Sequence, residues 1–304
     1  MLDRGHLATE QRNAKSASLD RVSIGEAFDM INAEDATVAH AVARAKDSIV
    51  RAIELVVEAL RSGGRLIYVG AGTSGRLGVL DATECPPTFL TPPGMVRGVI
   101  AGGEAALTRS VEGAEDRADD GRAAIEALET GSRDVVFGIA TGGTTPFVHG
   151  AIAAAKRSGA RSVFLACVSR EHVADEADVS IRVITGPEVL TGSTRMKAGT
   201  ATKLVLNMVS TIAMARLGKV YGNLMVDVNT SANVKLVDRG ARIIQAIAGL
   251  DRKASTHLLD SAGGSVKIAL VMHARGVDRA TAESLLSNAE GFVGRILGDD
   301  EAER

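Results

Sequence analysis

Five short runs of β-branched and aliphatic residues, each followed by a glycine-rich turn and a helical pattern, constrain the fold more than any other feature of this chain. The runs lie at 65–70, 96–103, 134–143, 161–169 and 179–184. They carry few charges after their first residue, as expected for strands that are buried on both faces. The alternation predicts an α/β fold, a three-layer sandwich in which helices cover both faces of a five-stranded parallel sheet. In such folds, ligands bind at the carboxyl ends of the strands, where these turns lie.

The chain is also predicted to divide into three parts. Residues 1–35 read as an extended arm followed by a short helix, and residues 36–235 form the domain that contains the sheet. Between 36 and 62, apolar residues recur at spacings of three, four and seven, which predicts one long helix that ends at Gly63. Residues 236–304 are expected to form a small helical module, since 304 residues exceed the roughly 150 typical of one domain.

The predicted C-terminal module contains an internal repeat. Residues 249–270 align with residues 276–297 at a fixed offset, which pairs Asp251 with Asp278. Each copy reads as a pair of helices, with its aspartate as N-cap and a glycine at the turn between them. The copies hold no cluster of acids, bases or metal ligands, so we expect a packing or dimerisation role.

Charge and composition argue against several classes of partner. The chain has 35 Lys and Arg against 37 Asp and Glu, a net charge of −2, so nothing favours nucleic acid or an anionic membrane surface. Its start lacks the apolar stretch of a signal peptide, and no run of apolar residues is long enough to span a membrane. Two cysteines allow at most one disulfide, so we expect the protein to be located in the reducing cytoplasm.

The first glycine-rich turn, GAGTSG at 70–75, follows a strand and opens a helix. It matches the dinucleotide fingerprint, but the acidic residue expected about 20 positions later is replaced by a proline-containing stretch, which disfavours a nicotinamide cofactor. Free backbone N–H groups at a helix start suit one small phosphate instead. The candidate ligands here are Gly72, Thr73 and Ser74.

Two further segments are candidates for the same ligand. The turn TGGTTP at 141–146 has the same construction, with Pro146 suited to the first helical turn. Its candidate ligands are Thr141, Gly143, Thr144 and Thr145. The segment 190–203 places Ser193, Arg195 and Lys197 at a helix start, where cations oppose the helix dipole unless an anion offsets that cost.

Two regions supply candidate acids and bases. Glu84 precedes two prolines that should end the first helix there, and a carboxyl group at the negative end of a helix is a candidate general acid. Glu112 and Glu115 are spaced to share one helical face, with Asp116 following, so either that face is solvated or one acid has a special role. The spacing alone does not select between them.

Metal and covalent chemistry find little support in the sequence. The six histidines are scattered without metal-ligand spacing, so we expect no metal. Ser193 lacks the context of a nucleophile elbow, and Cys85 has no evident basic partner. We therefore expect catalysis, if present, to use no cofactor and no covalent intermediate.

These residues carry a resemblance to a known family. The blocks are 9–13, 31–35, 64–87, 98–116, 186–208 and 218–228, and the resemblance covers nearly the whole chain. They closely resemble the N-acetylmuramic acid 6-phosphate etherases, members of the sugar isomerase (SIS) domain group that includes the glucokinase regulatory protein. The DATECPP and VEGAED motifs are specific to the etherases, whereas the phosphate loop is common to the group. The resemblance implies a flavodoxin-like SIS domain with a UBA-like C-terminal module.

The resemblance also implies an activity. The family is a carbon–oxygen lyase that removes D-lactate from N-acetylmuramic acid 6-phosphate in the recycling of cell-wall amino sugars. Its catalytic acid matches Glu84 and its second catalytic glutamate matches Glu115. The resemblance implies that the protein is a homodimer, that it binds a small sugar phosphate, and that it needs no cofactor. Two alternatives remain open, a sugar-phosphate isomerase and a sensor that binds without turnover.

This chain departs from the family in its second loop. The family usually reads SGRTPY there, whereas residues 142–147 read GGTTPF. A serine hydroxyl and an arginine guanidinium are therefore missing from this side of the expected site. The departure slightly favours the sensor, whereas the presence of both Glu84 and Glu115 argues against it.

Overall fold

A computed structural model describes residues 4–231 and 234–298 of the chain. They belong to two compact units: residues 1–83 with 94–210, and residues 84–93 with 211–304. The predicted boundaries after residues 35 and 235 stay predictions. The outer ends of the predicted arm and module, 1–3 and 299–304, lie outside the described residues.

The first unit contains a five-stranded, fully parallel sheet, as predicted. Its strands are β1 (Leu66–Gly70), β2 (Val96–Ile100), β3 (Val135–Ile139), β4 (Arg161–Ala166) and β5 (Val179–Arg182). Their order across the sheet is β2-β1-β3-β4-β5, so β1 pairs with both β2 and β3. This is the flavodoxin-like order of doubly wound folds.

Helices cover both faces of this sheet. The first-unit helices are α1 (Ile24–Asp35), α2 (Val38–Arg44), α3 (Lys46–Arg61), α5 (Ala105–Thr108), α6 (Ala118–Glu126) and α7 (Pro146–Arg157). Helices α4 (Gly72–Phe89) and α8 (Lys197–Arg216) begin in this unit and end in the other. Short 3₁₀ turns lie at Ala8–Glu10, Ala14–Ser16 and Ala114–Asp116.

Successive side chains of each strand point to opposite faces of the sheet, so apolar residues form a core on both faces. Helix α7 packs on one face, where Ile67, Val136 and Phe164 are fully buried. Helix α3 packs on the sheet as well, and the ring of Tyr68 meets Phe137 edge-on at 5.5 Å between centroids. The three layers of the predicted sandwich are confirmed.

The single helix predicted for 36–62 is wrong in one respect, because the structure breaks it at Ala45. There the backbone leaves the helical region, and the carbonyl of Ala45 accepts the first bond of α3 from Ile49. Val42 before the break and Ile49 after it are both buried. The apolar period therefore continues across the break and could not reveal it.

The second unit is helical and confirms the predicted repeat of helix pairs. Its own helices are α9 (Val234–Ala248), α10 (Arg252–Ser261), α11 (Val266–Arg275), α12 (Arg279–Asn288) and α13 (Val293–Leu297). Asp251 caps α10 by accepting a bond from the Ala254 N–H, and Asp278 caps α12 by accepting one from Thr281. None of the described helices is long and apolar enough to cross a membrane.

Candidate active site

Both predicted phosphate loops lie at one edge of the sheet. Gly70 of β1 pairs with Ile139 of β3, so the loops that follow these strands start side by side. From there the chain continues to β2 on one side and to β4 on the other. Loops that diverge in this way leave a crevice at the carboxyl ends of the strands, the usual ligand site of such sheets.

The first loop is a tight turn that only glycines permit. A Cβ at Gly70 would lie 2.7 Å from the nitrogen of Gly75, and Gly72 adopts a φ of +53°. The N–H groups of Gly72, Thr73 and Ser74 sit in the first turn of α4, where a helix offers no internal acceptor. Among the described residues, the hydroxyls of Thr73 and Ser74 have no hydrogen-bond partner. The loop thus offers several donors to an anion.

The second loop is held by its neighbours in a similar way. Gly143 adopts a φ of +79°, and its carbonyl accepts a bond from Nε2 of His149 at 2.7 Å. The buried Thr141 accepts a backbone bond from Cys167. Pro146 begins α7 as predicted, and the hydroxyl of the preceding Thr145 does not cap the helix. In the described part of the chain, the hydroxyls of Thr144 and Thr145 have no partner.

The third segment contributes the start of a helix, and a carboxylate of the protein itself binds there. Lys197 is the first residue of α8, as expected. The predicted anionic ligand is replaced by Glu188, whose carboxylate accepts bonds from the N–H groups of Lys197 and Ala198 at 2.9 Å each. Burial raises the pKa of Glu188, and these N–H groups oppose that effect. The dipole cost of cations at this helix start is therefore offset internally.

The Lys197 side chain also has an internal partner. Its ammonium is buried and lies 2.6 Å from the carboxylate of Glu34, which also contacts Asn13 and Lys15 of the arm at 2.9 Å each. Burial acts to raise the pKa of Glu34, but bonds from Lys197, Lys15 and Asn13 outweigh it and lower the value to about 2. Lys197 is thus paired within the protein, and its binding of the sugar phosphate stays a prediction.

The start of α8 nevertheless lies beside the first loop. A Cβ at Gly199 would approach Cγ2 of Thr73 to 3.6 Å. In the segment before α8, Ser193 is half-buried and Arg195 is exposed, without an ion pair among the described residues. The structure thus brings the third segment to the same edge of the sheet as the first loop, and Ser193 and Arg195 are its candidate ligands that lack an internal ion pair.

Glu84 does not lie at a helix end, contrary to the sequence expectation. Helix α4 continues through Pro86 and Pro87 to Phe89, and the N–H of Leu90 still bonds to the carbonyl of Pro86. The prolines remove two helical N–H donors but do not end the helix. Glu84 is therefore an exposed carboxyl group on a continuous helix, ten residues after Ser74.

A buried carboxylate fixes the first part of α4 to its surroundings. Asp81 accepts hydrogen bonds from the hydroxyls of Tyr68 on β1 at 2.9 Å and of Ser210 on α8 at 3.1 Å. Burial raises the pKa of Asp81, and the two hydroxyls oppose that rise. Because unpaired buried carboxyl groups are costly, this bonding favours one position of α4 on the sheet.

Glu112 and Glu115 do not share a helical face. Glu112 lies in a turn and accepts a bond from the hydroxyl of Ser110, whereas Glu115 lies in the 3₁₀ turn Ala114–Asp116. Both are exposed, so solvent separates the neighbouring charges. Gly113, with a φ of +71°, interrupts the helix that the spacing had indicated.

Three side chains of this region were missed by sequence reasoning. Glu34 and Glu188 hold the start of α8, and Arg76 binds the end of α5 and the residue that follows it. Glu34 lies in the 31–35 block that the resemblance had marked without a role. That block was the available signal, whereas nothing distinguished Glu188 or Arg76 from ordinary charged residues.

Burial makes the cysteines poor candidates for chemistry. Cys85 and Cys167 are both buried thiols outside any disulfide. Burial, with a contribution from the charge of Glu188, raises the pKa of Cys167 to about 12. This thiol is therefore protonated at neutral pH and is not nucleophilic.

Comparison with known proteins assigns the chain to a family. Residues 48–156 match the family model of the glucokinase regulatory protein N-terminal SIS domain. N-acetylmuramic acid 6-phosphate etherase of Gloeothece citriformis is 56% identical, over 97% of this chain and 96% of that relative. The etherase of Trichormus variabilis is 56% identical over 95% of this chain and 94% of the relative. With such identity over almost its whole length, the chain belongs to the N-acetylmuramic acid 6-phosphate etherase family.

Proposed function

We propose that this protein cleaves the D-lactyl ether of N-acetylmuramic acid 6-phosphate and releases N-acetylglucosamine 6-phosphate and D-lactate. The observation that carries the proposal is the pair of glycine- and threonine-containing loops at the point where the strand order diverges, in a chain that is 56% identical to named etherases. Its role is the recycling of cell-wall amino sugar.

The first half of the reaction is an elimination. In the ring-opened aldehyde of the substrate, the C2 hydrogen is acidic and the ether oxygen at C3 is a β leaving group. The carboxylate of Glu115 removes the C2 proton, and the electron pair forms a C2=C3 double bond as the C3–O bond breaks. Glu84 donates a proton to the departing lactate oxygen. The exposure of both carboxyl groups leaves them accessible to a substrate.

The second half is a hydration. Water adds across the double bond, with hydroxide joining C3 and a proton returning to C2, which leaves N-acetylglucosamine 6-phosphate. The balance of atoms requires neither a metal nor a redox cofactor. Acid–base catalysis by two positioned carboxyl groups supplies both proton transfers.

The loops hold the phosphate and thereby position the sugar. The first loop offers the N–H groups of Gly72, Thr73 and Ser74, and the second offers the hydroxyls of Thr141, Thr144 and Thr145 around the turn at Gly143. Ser193 and Arg195 complete the set. Holding a non-reacting group in this way orients the reacting carbons and lowers the entropic part of the barrier.

The test measures D-lactate released from N-acetylmuramic acid 6-phosphate by the purified protein in deuterated water. We expect lactate from the wild type, deuterium at C2 of the product, and neither from Glu84→Gln. Glu54→Gln, an exposed carboxylate on α3, serves as the control and should retain full activity. Full activity of Glu84→Gln would show that Glu84 is not the acid.

The same assay separates the alternatives. An isomerase would convert an aldose phosphate to a ketose phosphate without releasing lactate. A sensor would bind the sugar phosphate with saturation but produce neither product. Either outcome with the wild type would overturn the proposal.

We propose further that the active form is a cytoplasmic homodimer. On α1, Ile24 and Phe28 are 92% and 65% exposed and lie one helical turn apart. Exposed apolar side chains that lie together in this way usually mark a surface that a partner covers. In this dimer, the exposed carboxyl group of Glu84 and the first phosphate loop of one site come from different protomers.

Mixing two inactive variants tests this arrangement. Glu84→Gln and a Ser74→Ala/Thr73→Ala variant are denatured together, refolded and assayed. If acid and phosphate loop come from different protomers, one of the two sites in each mixed dimer is intact, so about a quarter of all sites regain activity in the ideal case. No recovery, or a monomer in sedimentation, would refute the shared site.

A further inference from the structure

Arg76 connects the first phosphate loop to the segment that leads to Glu115. It lies in α4, two residues after Ser74. Its Nε donates to the carbonyl of Leu107 at 3.2 Å, and its Nη2 donates to the carbonyl of Arg109 at 3.1 Å. The planar guanidinium thus binds two backbone carbonyls at once, which a lysine could not do in the same geometry.

The segment that Arg76 binds has little structure of its own. Helix α5 comprises four residues, Ala105–Thr108, far fewer than a helix needs to be stable alone. Its last carbonyls have no helical donor, and Arg76 supplies donors at that end. Since a helix end without partners is costly, the guanidinium stabilises this conformation of the segment.

Two other contacts fix the remainder of the segment. Gly102, with a φ of +84°, lies so close to Val111 that a Cβ on it would approach Cβ of Val111 to 2.9 Å. Ala114, next to Glu115, packs against the core beneath α7. Both contacts are apolar and non-directional, so of these contacts only Arg76 contributes directed bonds.

We propose that Arg76 is a positioning residue, which ties the loop that holds the phosphate to the segment that carries the base. The proposal rests on the function proposed above, in which Glu115 removes the C2 proton. Because one side chain joins the two parts, a substrate held by Thr73 and Ser74 meets Glu115 at a fixed separation. Arg76 acts through the segment 107–113 and not through the substrate.

The test compares Arg76→Met and Arg76→Lys with the wild type. Both variants lose the double contact, and displacement of a catalytic group by about 1 Å costs roughly 100-fold in rate. We expect kcat to fall by about 10- to 100-fold in both, with KM changed less than threefold. Deuterium incorporation at C2 should slow in parallel with lactate release, since the proton-abstraction step is the one affected.

Arg65 provides a matched control. It also donates to a backbone carbonyl, that of Glu129 at 3.3 Å, and forms an ion pair with Asp134 at 2.7 Å. It precedes β1 and so lies at the amino end of the strands, opposite the site. Arg65→Met should lower stability but keep kcat when assayed well below its melting temperature.

Amide hydrogen exchange supplies a readout that does not depend on the reaction. Residues 107–113 should exchange faster in Arg76→Met than in the wild type, and unchanged in Arg65→Met. Unchanged kcat in both Arg76 variants would overturn the proposal, as would a higher KM at normal kcat, the result expected of a phosphate ligand. A lower kcat without faster exchange in 107–113 would overturn it as well. If the wild type released no lactate, the proposed function would fail, and the exchange would still decide whether Arg76 holds this segment.

Discussion

We expect single residues in the second loop to set how tightly the phosphate is held. Gly142 has open space where a Cβ would be placed, and its φ is not positive, so a serine fits there without strain. Thr144 is half-buried, and in the described part of the chain its hydroxyl lacks a partner. The loop can therefore accept both side chains that the family usually has.

Restoring those side chains should strengthen substrate binding. We expect Gly142→Ser/Thr144→Arg to lower KM for N-acetylmuramic acid 6-phosphate by about tenfold, since charge-assisted hydrogen bonds to a phosphate contribute roughly 1.5–3 kcal/mol. Steady-state kinetics measures the change. Thr144→Val, which keeps the shape but lacks the hydroxyl, should raise KM. The same KM in all three proteins would show that this loop does not contact the phosphate.

At the same scale, sequence reasoning identified residue types better than their partners. The glycine-rich turns could be recognised because glycine at a strand-to-helix turn has few physical explanations, whereas their binding of phosphate stays a prediction. Lys197 could not be interpreted in this way, because its partner Glu34 is 163 residues away in sequence. Spacing also could not select Glu115 over Glu112, since both are exposed and only the family resemblance distinguishes them.

Among the elements, the helix pairs of the second unit are the most regular. In α10 and α12, an aspartate accepts a bond from the N–H three residues later, at 2.8 Å for Asp251 and 2.9 Å for Asp278. These bonds satisfy N–H groups that the helices leave unpaired. The caps are equivalent by geometry as well as by sequence.

Removing either cap should destabilise the second unit. We expect Asp251→Ala to cost about 1 kcal/mol, and Asp278→Ala to lower the urea midpoint in the same direction. Asp251→Asn should be close to the wild type, because asparagine also accepts the capping bond. Urea unfolding followed by circular dichroism measures each midpoint. If Asn and Ala were equally destabilising, the charge rather than the hydrogen bond would be responsible.

Element ends were the least predictable part of the structure. The prolines after Glu84 indicated a helix end, yet α4 continues past them to Phe89. A proline removes its own N–H donor but leaves its carbonyl free, and Pro86 uses that carbonyl to accept the next helical bond from Leu90. Local sequence indicates how much free energy such prolines cost the helix. Whether the packing of the helix provides enough stabilisation to outweigh that cost depends on distant residues.

At the scale of the first unit, one ionic cluster joins three distant parts of the chain. Glu34 lies in the last turn of α1, Lys197 begins α8, and Asn13 and Lys15 belong to the arm. Breaking a buried ion pair is costly because one charge loses its partner. The stability of the unit should therefore depend on the ionisation of Glu34.

The direction of this pH dependence follows from the lowered pKa. The pKa of Glu34 is about 2 in the fold and 4.5 ordinarily, so its contribution is complete above about pH 4.5 and is lost as the pH falls towards 2. We expect a contribution of about 2 kcal/mol, reduced by solvent screening because Lys15 is 77% exposed. Urea unfolding between pH 3 and pH 7 should show a shallower pH dependence for Glu34→Gln than for Glu54→Gln. Equal slopes would contradict the role of Glu34.

The overall architecture was the most predictable level. Five buried strands that alternate with helices leave a parallel sheet covered on both faces as the favoured arrangement, and the structure contains that sheet. The break between α2 and α3 and the cluster around Glu34 depend on contacts between residues far apart in sequence. They were therefore beyond any pattern read along the chain.

The strand order has a practical consequence for engineering the enzyme. After β1 and after β3 the chain continues towards opposite edges of the sheet, so the two predicted phosphate loops belong to separate crossovers. The 141–146 loop can thus be replaced while the backbone conformation of GAGTSG at 70–75 stays unchanged. The sequence difference from the family falls within the 141–146 loop. A library of variants confined to this loop would test the binding of other sugar phosphates without changing the 70–75 loop.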